Sequence, residues 1–396
     1  MARIAIIAPV FPPYRSSGAV QLWDLSKEFI RQGHDITVFV PSSEISLPFV
    51  TEMIEDVHIV RLRAPHSRDT FYLRRAISEF FAPYFMLRNL RLSSIDPTNF
   101  NGIVCYSPSI FLTPFSKYLK NRSQCRAYLI VRDIFPEWAL NLNLMRKGLA
   151  YYFLKWIEYL QYKFANKIGV QTAGNLSYFE INYSDLYGSV EVLHNWLAQP
   201  SSTKCSVLLK DTLLVGKKIV VYAGNMGVAQ NLEIFIHLAA KIRNRLDIGF
   251  LFVGRGSDKK RLQKLSEQLN LSNVLFFDEI PPEEIAGLYS QCHIGLVALD
   301  ERHKTHNIPG KFLSYMTAGL PVLALVNPGN DLLALISEER VGVVTSEFKL
   351  DSISHELEAL LNNLPEVDFE SNCKGLAKRL YSPDSAVSQI VKGLGL

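Results

Sequence analysis

The sequence predicts an α/β protein of two doubly wound domains, and three observations carry that expectation. Short continuous apolar runs alternate with amphipathic helical stretches, the pattern of parallel strands covered on both faces by helices. The alternation breaks over residues 196–216 and then restarts. At 396 residues the chain is also too long for one ordinary core and suits two domains of about 200 residues each.

The first strand is Arg3–Ala8, continuous and rich in isoleucine. A Pro-rich loop leads to a helix from Ala19 to Gln32, with Leu22, Leu25, Phe29 and Ile30 on one face and Gly33 as its C-terminal stop. Asp35–Val40 is the next strand, so one βαβ unit is complete within 40 residues. Further strands are expected at Val57–Leu62, Gly102–Tyr106, Ala127–Val131, Lys167–Gln171 and Glu191–Leu193. A Pro-Ser-Ser turn signal at 200–202 marks the hinge. The second series runs through strands at Lys218–Ala223, Gly249–Val253, Val274–Phe277, Ile294–Ala298, Pro321–Val326 and Val341–Val344. Helices are expected between them at Gln230–Arg245, Lys259–Asn270, Pro282–Gln291 and Lys311–Thr317. The expected domains are 1–200 and 201–380, with a terminal helix over 381–396 packing back on the first.

A composition of 48% apolar and 20% charged residues is that of a globular chain. The formal net charge of +4 is too small to indicate nucleic acid. Its distribution is uneven: residues 1–195 carry 21 Lys/Arg against 16 Asp/Glu, while 196–396 carry 21 against 22. An anionic partner therefore belongs to the first half. The five cysteines are scattered and form no C-x-x-C pair, which favours free thiols in a reducing compartment over a disulfide framework or zinc site. The N-terminal apolar run is too short for a secretory signal, and no run of about 18 apolar residues spans a bilayer. Membrane contact, if any, is expected to be peripheral.

In doubly wound sheets ligands sit at the carboxyl ends of the strands, where helix N-termini aim free N–H groups at anions. Four stretches qualify. Ser16-Ser17-Gly18 follows the first strand and is either a tight βα turn or a close backbone approach to a ligand. Tyr222-Ala-Gly-Asn-Met-Gly227 lies between a strand and a helix, with two glycines flanking Asn225. Gly254-Arg-Gly-Ser257 mimics part of a dinucleotide fingerprint but lacks its last glycine, so an N-cap role for Ser257 is the simpler reading. The fourth, Glu301 to Val322, is the densest: two histidines and three basic residues fall within the eleven positions 301–311, and a helix opens at Gly310-Lys311. Backbone N–H groups there, with Lys311 beside them, suit a diphosphate leaving group. Ligand spacing for a metal is missing.

At this last stretch Ser314-Tyr-Met-Thr-Ala-Gly-Leu-Pro-Val322 resembles the Ala-Met-Ala-x-Gly-x-Pro-Val pattern of the GT-B family 4 retaining glycosyltransferases. The resemblance implies two Rossmann-like domains facing a cleft, with Gly18 and Gly224–Gly227 in donor loops. Tyr72-Leu-Arg-Arg-Ala-Ile, Arg132-Asp-Ile-Phe-Pro-Glu-Trp138 and Ala223-Gly-Asn-Met-Gly-Val-Ala-Gln230 further resemble bacterial O-antigen and capsule enzymes that transfer N-acetyl-L-fucosamine from UDP. The implied donor-binding set is Gly18, Asn195, Gly224, Asn225, Gly227, Gln230, Gly254, His306, Pro309, Gly310, Lys311 and Ser314. His306 and Ser314 stand where the family has two glutamates, Gln230 stands near its lysine, and Arg132 replaces a histidine. Lys311 is the candidate for the lost positive charge. The family's retaining chemistry implies same-face attack assisted by the departing phosphate, so no protein nucleophile is assigned. The catalytic candidates are Lys311 for the leaving group and Asp133 or Glu137 for the acceptor hydroxyl, Asp133 being equally suited to capping a helix near Pro136. No cofactor or metal is implied; the UDP-sugar is a substrate.

Residues 61–91 hold seven arginines interleaved with aromatics, and 143–167 combine Arg146, Lys147, Lys155, Lys163 and Lys167 with Tyr151, Tyr152, Phe153, Trp156 and Tyr159. Such helices suit an anionic membrane surface, here the inner face of the bacterial cytoplasmic membrane, which would also present a polyprenyl-diphosphate-linked acceptor. Ordinary core packing is the alternative for each aromatic. No nucleic-acid motif accompanies the basic residues. Two other functions fit the architecture: a UDP-sugar 2-epimerase, which would need acid/base carboxylates, and a non-catalytic nucleotide-sugar-binding scaffold.

Overall fold

The isoleucine- and valine-rich runs become the centres of two separate sheets. The computed structural model describes residues 1–396 apart from 15, 68–71, 142–143, 200–203, 228–229 and 302–307. The chain divides into two compact units, Met1–Trp196 with Pro383–Leu396, and Leu197–Ser382.

Unit 1 holds strands β1 (Arg3–Ile7), β2 (Asp35–Ser42), β3 (Phe49–Ile54), β4 (Val57–Arg63), β5 (Gly102–Tyr106), β6 (Arg126–Val131), β7 (Lys167–Val170) and β8 (Val190–Val192). Its helices are α1 (Ser17–Arg31), α2 (Tyr72–Leu90), α3 (Thr113–Ser123), α4 (Glu137–Asn141), α5 (Leu149–Phe164) and α6 (Gly174–Asn182). The strand order is β3-β4-β2-β1-β5-β6-β7-β8, so the winding reverses between β1 and β5. Unit 2 holds β9 (Lys218–Ala223), β10 (Ile248–Val253), β11 (Val274–Phe277), β12 (Ile294–Ala298), β13 (Val322–Leu325) and β14 (Gly342–Thr345). Its helices are α7 (Glu233–Lys241), α8 (Lys259–Gln268), α9 (Ile285–Tyr289), α10 (Gly310–Ala318), α11 (Leu332–Glu338), α12 (Leu350–Asn363) and α13 (Phe369–Leu380). The order is β11-β10-β9-β12-β13-β14, reversing between β9 and β12. These reversals open a crevice at the carboxyl ends of the two flanking strands, and the crevice positions each candidate site.

Every residue of β5 and β10 is buried, as double coverage by helices requires. Each fully buried Val, Leu or Ile contributes about 1.5–3 kcal/mol. The last helix, α14 (Pro383–Leu394), belongs to unit 1. It buries Val387, Ile390 and Leu394 in the core beside α1, and Asp384 meets Arg31 at 2.7 Å.

Three expectations are corrected. The first sheet is not wholly parallel: β3 pairs antiparallel with β4 through Glu55 and Asp56, at φ 45° and 65°. Two successive left-handed residues make the tight hairpin turn that suits strand twist, and Glu-Asp is a weak sequence signal for it. The helix expected at Gln230–Arg245 is α7, which starts later because Asn231 is left-handed at φ 46° and Gln230 turns back on Gly227. Asp258, not Ser257, occupies the N-cap position of α8, and its carboxylate pairs with Arg261 rather than with the helix amides. Among the described residues, no helix is long and apolar enough to cross a membrane.

Candidate functional site

The crevice of unit 2 is walled by the loop after β9 and the start of α10. Gly224 follows β9 at φ +136°, a conformation open to glycine. A methyl group on it would lie 2.7 Å from Lys311 Cε, so glycine lets the lysine stem lie directly against the loop. The Lys311 ammonium sits 4.8 Å from the centre of the Tyr222 ring. Tyr222 is fixed in turn by donating its hydroxyl hydrogen to the Asn225 carbonyl at 2.6 Å. Among the described residues no carboxylate pairs with Lys311. Desolvation pulls its pKa down to about 8. A desolvated ammonium with no counter-ion is costly, and an anionic ligand would relieve that.

The neighbours complete an anion-receptive arrangement. Pro309 precedes the first turn of α10, which begins at the exposed Gly310 and has no side-chain cap. Among the described residues its leading N–H groups have no side-chain partner, an arrangement that with the positive dipole end suits an anion. Ser314, one turn on, returns its hydroxyl to the Gly310 carbonyl at 3.2 Å. Gln230 Oε1 accepts from the Gly227 N–H at 2.9 Å and lies 3.4 Å from Asn225 Nδ2, holding the glycine loop shut on itself. Asn225 is exposed at the tip. Gly254 is buried, and a methyl group there would lie 2.1 Å from the Gly224 carbonyl oxygen. The loops after β9 and β10 thus pack backbone to backbone, joined by Met226 N–H donating to the Arg255 carbonyl at 2.7 Å. His306 and the basic cluster at 302–305 lie outside the described residues.

In unit 1 the crevice lies at the ends of β1 and β5. Ser16 caps α1 by accepting from the Ala19 N–H at 3.2 Å, and a methyl on Gly18 would lie 3.4 Å from the Tyr106 hydroxyl. Ser16 thus caps α1, and Gly18 lies against Tyr106. Asn195 is 3% exposed, and its amide donates to Gln171 Oε1 at 2.9 Å. Gln171 Nε2 donates to the Arg132 carbonyl. Asn195 therefore braces strand ends, a role sequence reading missed. Asp133 is partly exposed and engaged with the chain. Glu137 is tied down: it accepts from the Tyr151 hydroxyl at 2.7 Å and pairs with Lys155 at 3.2 Å.

Lys155 belongs to a buried cluster that the sequence did not reveal. Glu158 is fully buried and takes hydrogen bonds from the hydroxyls of Tyr162, Tyr178 and Tyr183 at 2.8, 3.0 and 2.6 Å, with Lys155 at 2.5 Å. Burial lifts its carboxyl above the usual range, while Lys155 and the tyrosine bonds pull it back. Two residues of the basic-aromatic stretches are consequently not surface groups. Lys155 points into this cluster, and Arg61 is 7% exposed and paired with Glu52 at 2.9 Å. Arg68, Asp69, Phe71 and Asn143 lie outside the described residues. What stays exposed falls on one face each of two helices. On α2 these are Arg74, Arg75, Ile77, Phe81, Tyr84, Phe85 and Arg88; on α5 they are Leu149, Tyr152, Phe153, Trp156, Leu160 and Lys163. Phe80 and Phe153 join the helices, with ring centres 6.1 Å apart.

Comparison with known proteins gives this geometry its context. Residues 217–363 match the family described as "Glycosyl transferases group 1". The chain is 21% identical over 347 residues to "Probable glycosyltransferase WbjE" of Pseudomonas aeruginosa, covering 86% of this chain and 85% of that one. It is 27% identical over 268 residues to "Putative colanic acid biosynthesis glycosyl transferase WcaI" of Escherichia coli K12, covering 62% of this chain and 60% of that one. Among solved structures, sucrose-phosphate synthase from Thermosynechococcus elongatus superposes with a TM-score of 0.73 at 13% identity, over 99% of this chain and 98% of that one. Anabaena HepE, solved with UDP and glucose, gives 0.68 at 13% identity over the whole of both chains. WaaG, a glycosyltransferase involved in lipopolysaccharide biosynthesis, gives 0.60 at 17%, over 98% of this chain and 99% of that one. Unit 2 therefore carries a group 1 glycosyltransferase domain, and the chain is a glycosyltransferase of GT-B fold.

Proposed function

We propose that this enzyme moves a sugar from a UDP donor to a lipid-linked saccharide at the inner face of the bacterial cytoplasmic membrane, in surface-polysaccharide synthesis and with retention of configuration. The observation that carries the reading is Lys311: a desolvated ammonium beside an uncapped helix start, against a glycine that leaves it room, with no carboxylate partner among the described residues. That arrangement stabilises charge developing on a diphosphate leaving group more than it stabilises the intact donor. HepE holds UDP in its solved complex, which supports a UDP donor here. N-acetyl-L-fucosamine is the proposed sugar, on the motifs at 72–77, 132–138 and 223–230. Because Glu137 is held by Tyr151 and Lys155, Asp133 is the proposed acceptor-hydroxyl partner.

The paired faces of α2 and α5 supply the membrane contact. Tyr152 and Trp156 are 63% and 56% exposed, and Arg74, Arg75, Arg88 and Lys163 ring the aromatic surface. Each basic residue near anionic lipid adds about 1 kcal/mol. Co-sedimentation with phosphatidylglycerol vesicles, and not with phosphatidylcholine vesicles, is expected, and Phe81→Ser with Trp156→Ser should weaken it.

The donor reading is tested by Lys311→Ala with UDP calorimetry and a transfer assay on membrane-extracted lipid acceptor. Transfer should fall about 100-fold and UDP affinity should drop, in a protein that melts no lower than the parent. Unchanged UDP affinity, or transfer from a non-UDP donor alone, would refute it.

A further inference from the structure

We propose that Arg132 binds the diphosphate of the acceptor, giving unit 1 an oxyanion site of its own. The proposal rests on the transferase reading above for the identity of the ligand, but its geometry is independent of Lys311.

Arg132 and Gln171 directly follow the ends of β6 and β7, which pair in parallel with Val131 opposite Val170. Arg132 Nη1 is buried without a hydrogen-bond partner, and among the described residues it is the one charged side-chain atom left so. Two residues past β7, Thr172 Oγ1 is likewise buried and unpartnered. A guanidinium N–H and a hydroxyl, on neighbouring strand ends, are the donors that an oxyanion recruits, and the planar guanidinium fork matches phosphate oxygens in particular.

The site is braced rather than loose. Asn195 donates to Gln171, and Gln171 donates to the Arg132 carbonyl, so three successive strand ends fix the arginine backbone. A side chain held there with an unmet N–H is poorly explained by folding, because a buried donor left unpaired disfavours the folded state. The segment also leads to the exposed aromatic face. Phe135, three residues on, packs with Phe80 and Leu154 around Ile110, Phe111 and Ile157, between α2 and α5. A lipid carried to that face brings its diphosphate to the same unit, which favours the acceptor over the donor as the source of the oxyanion.

The test is calorimetric titration of the full chain with inorganic pyrophosphate in the Lys311→Ala background, which silences the donor phosphate site. One pyrophosphate should bind; adding Arg132→Met should abolish it, while Arg132→Met alone melts at or above the parent temperature. In the transfer assay Arg132→Met should raise the KM for a diphosphate-linked acceptor by roughly tenfold and leave UDP affinity within twofold, with Arg132→Lys recovering part of the loss. Absence of pyrophosphate binding in Lys311→Ala, or binding that survives Arg132→Met, overturns the proposal. Lost UDP affinity in Arg132→Met also overturns it, by assigning the guanidinium to the donor. A protein whose parent form binds no UDP fails the donor reading instead, and the pyrophosphate titration still decides on Arg132.

Discussion

Two desolvated charges in this molecule, Glu158 fully buried and Lys311 half-buried, differ in kind. Glu158 in unit 1 is saturated: three tyrosine hydroxyls and Lys155 surround its carboxylate. Lys311 in unit 2 has a ring face, a glycine loop and no counter-ion among the described residues. A buried charge whose partners are complete holds the fold together. One whose partners are incomplete is waiting for a ligand. The difference is a matter of counting donors and acceptors, and it separates structural from functional groups more sharply than burial does.

The comparison is broken or sharpened by four substitutions, beginning with the largest effect. Glu158→Gln leaves Lys155 with Glu137 as its remaining carboxylate partner among the described residues and weakens three tyrosine hydrogen bonds, so it should destabilise the protein by about 3 kcal/mol, read as a lower denaturation midpoint with activity per folded molecule retained. Equal loss of activity in the folded fraction would move Glu158 into the machinery. Gly254→Ala forces a side chain at φ +144° against the Gly224 carbonyl. A loss of about 1–3 kcal/mol from the backbone conformation alone is expected, with UDP affinity falling because the glycine loop shifts.

Lys311→Met should do the opposite to stability. With Lys311 titrating near 8 when folded and 10.5 when unfolded, the unfolded chain binds the extra proton between those values. Stability of the parent should therefore rise with pH across roughly 8 to 10.5, and that rise should vanish in Lys311→Met. UDP affinity should move the other way, falling as pH climbs through about 8 and the ammonium is lost. A pH profile unchanged by the substitution would detach the titration from Lys311. The smallest effect is expected of Gly310→Ala, since among the described residues no neighbouring atom outside the helix lies within 4 Å of the added methyl. Stability should change by less than about 1 kcal/mol, so any large fall in UDP affinity would show that the ligand itself approaches Gly310.

Much of the fold is legible in the sequence because central strands are buried on both faces and must be continuously apolar. Gly102–Tyr106, Lys218–Ala223 and Ile294–Ala298 coincide with β5, β9 and β12 for that reason. The edge strand β3 escapes: its residues are half buried or exposed, so neither a continuous run nor a clean alternation marks it. At the site, Gly224 and Lys311 are readable from their positions after a strand and at a helix start. Gly254 was readable as a glycine that matters but not as one that faces another backbone. The partners of Lys155 and Asn195 were not readable at all, because Glu158, the three tyrosines and Gln171 reach them through tertiary packing. Arg132 stood out only as a substitution, and its unmet N–H is visible only in three dimensions.

The return of α14 to unit 1 has a practical consequence for anyone dissecting the protein. Unit 2 is an insertion, entering at Leu197 and leaving at Ser382, and the Leu197 N–H donates to the Tyr381 carbonyl at 3.0 Å. Its two ends are thus stitched side by side, so 197–382 can be cloned as one uninterrupted piece. Unit 1 cannot: a clone stopped at Trp196 forfeits Ile390 and Leu394 from its core, and a short spliced tail carrying residues 383–396 is what would restore it.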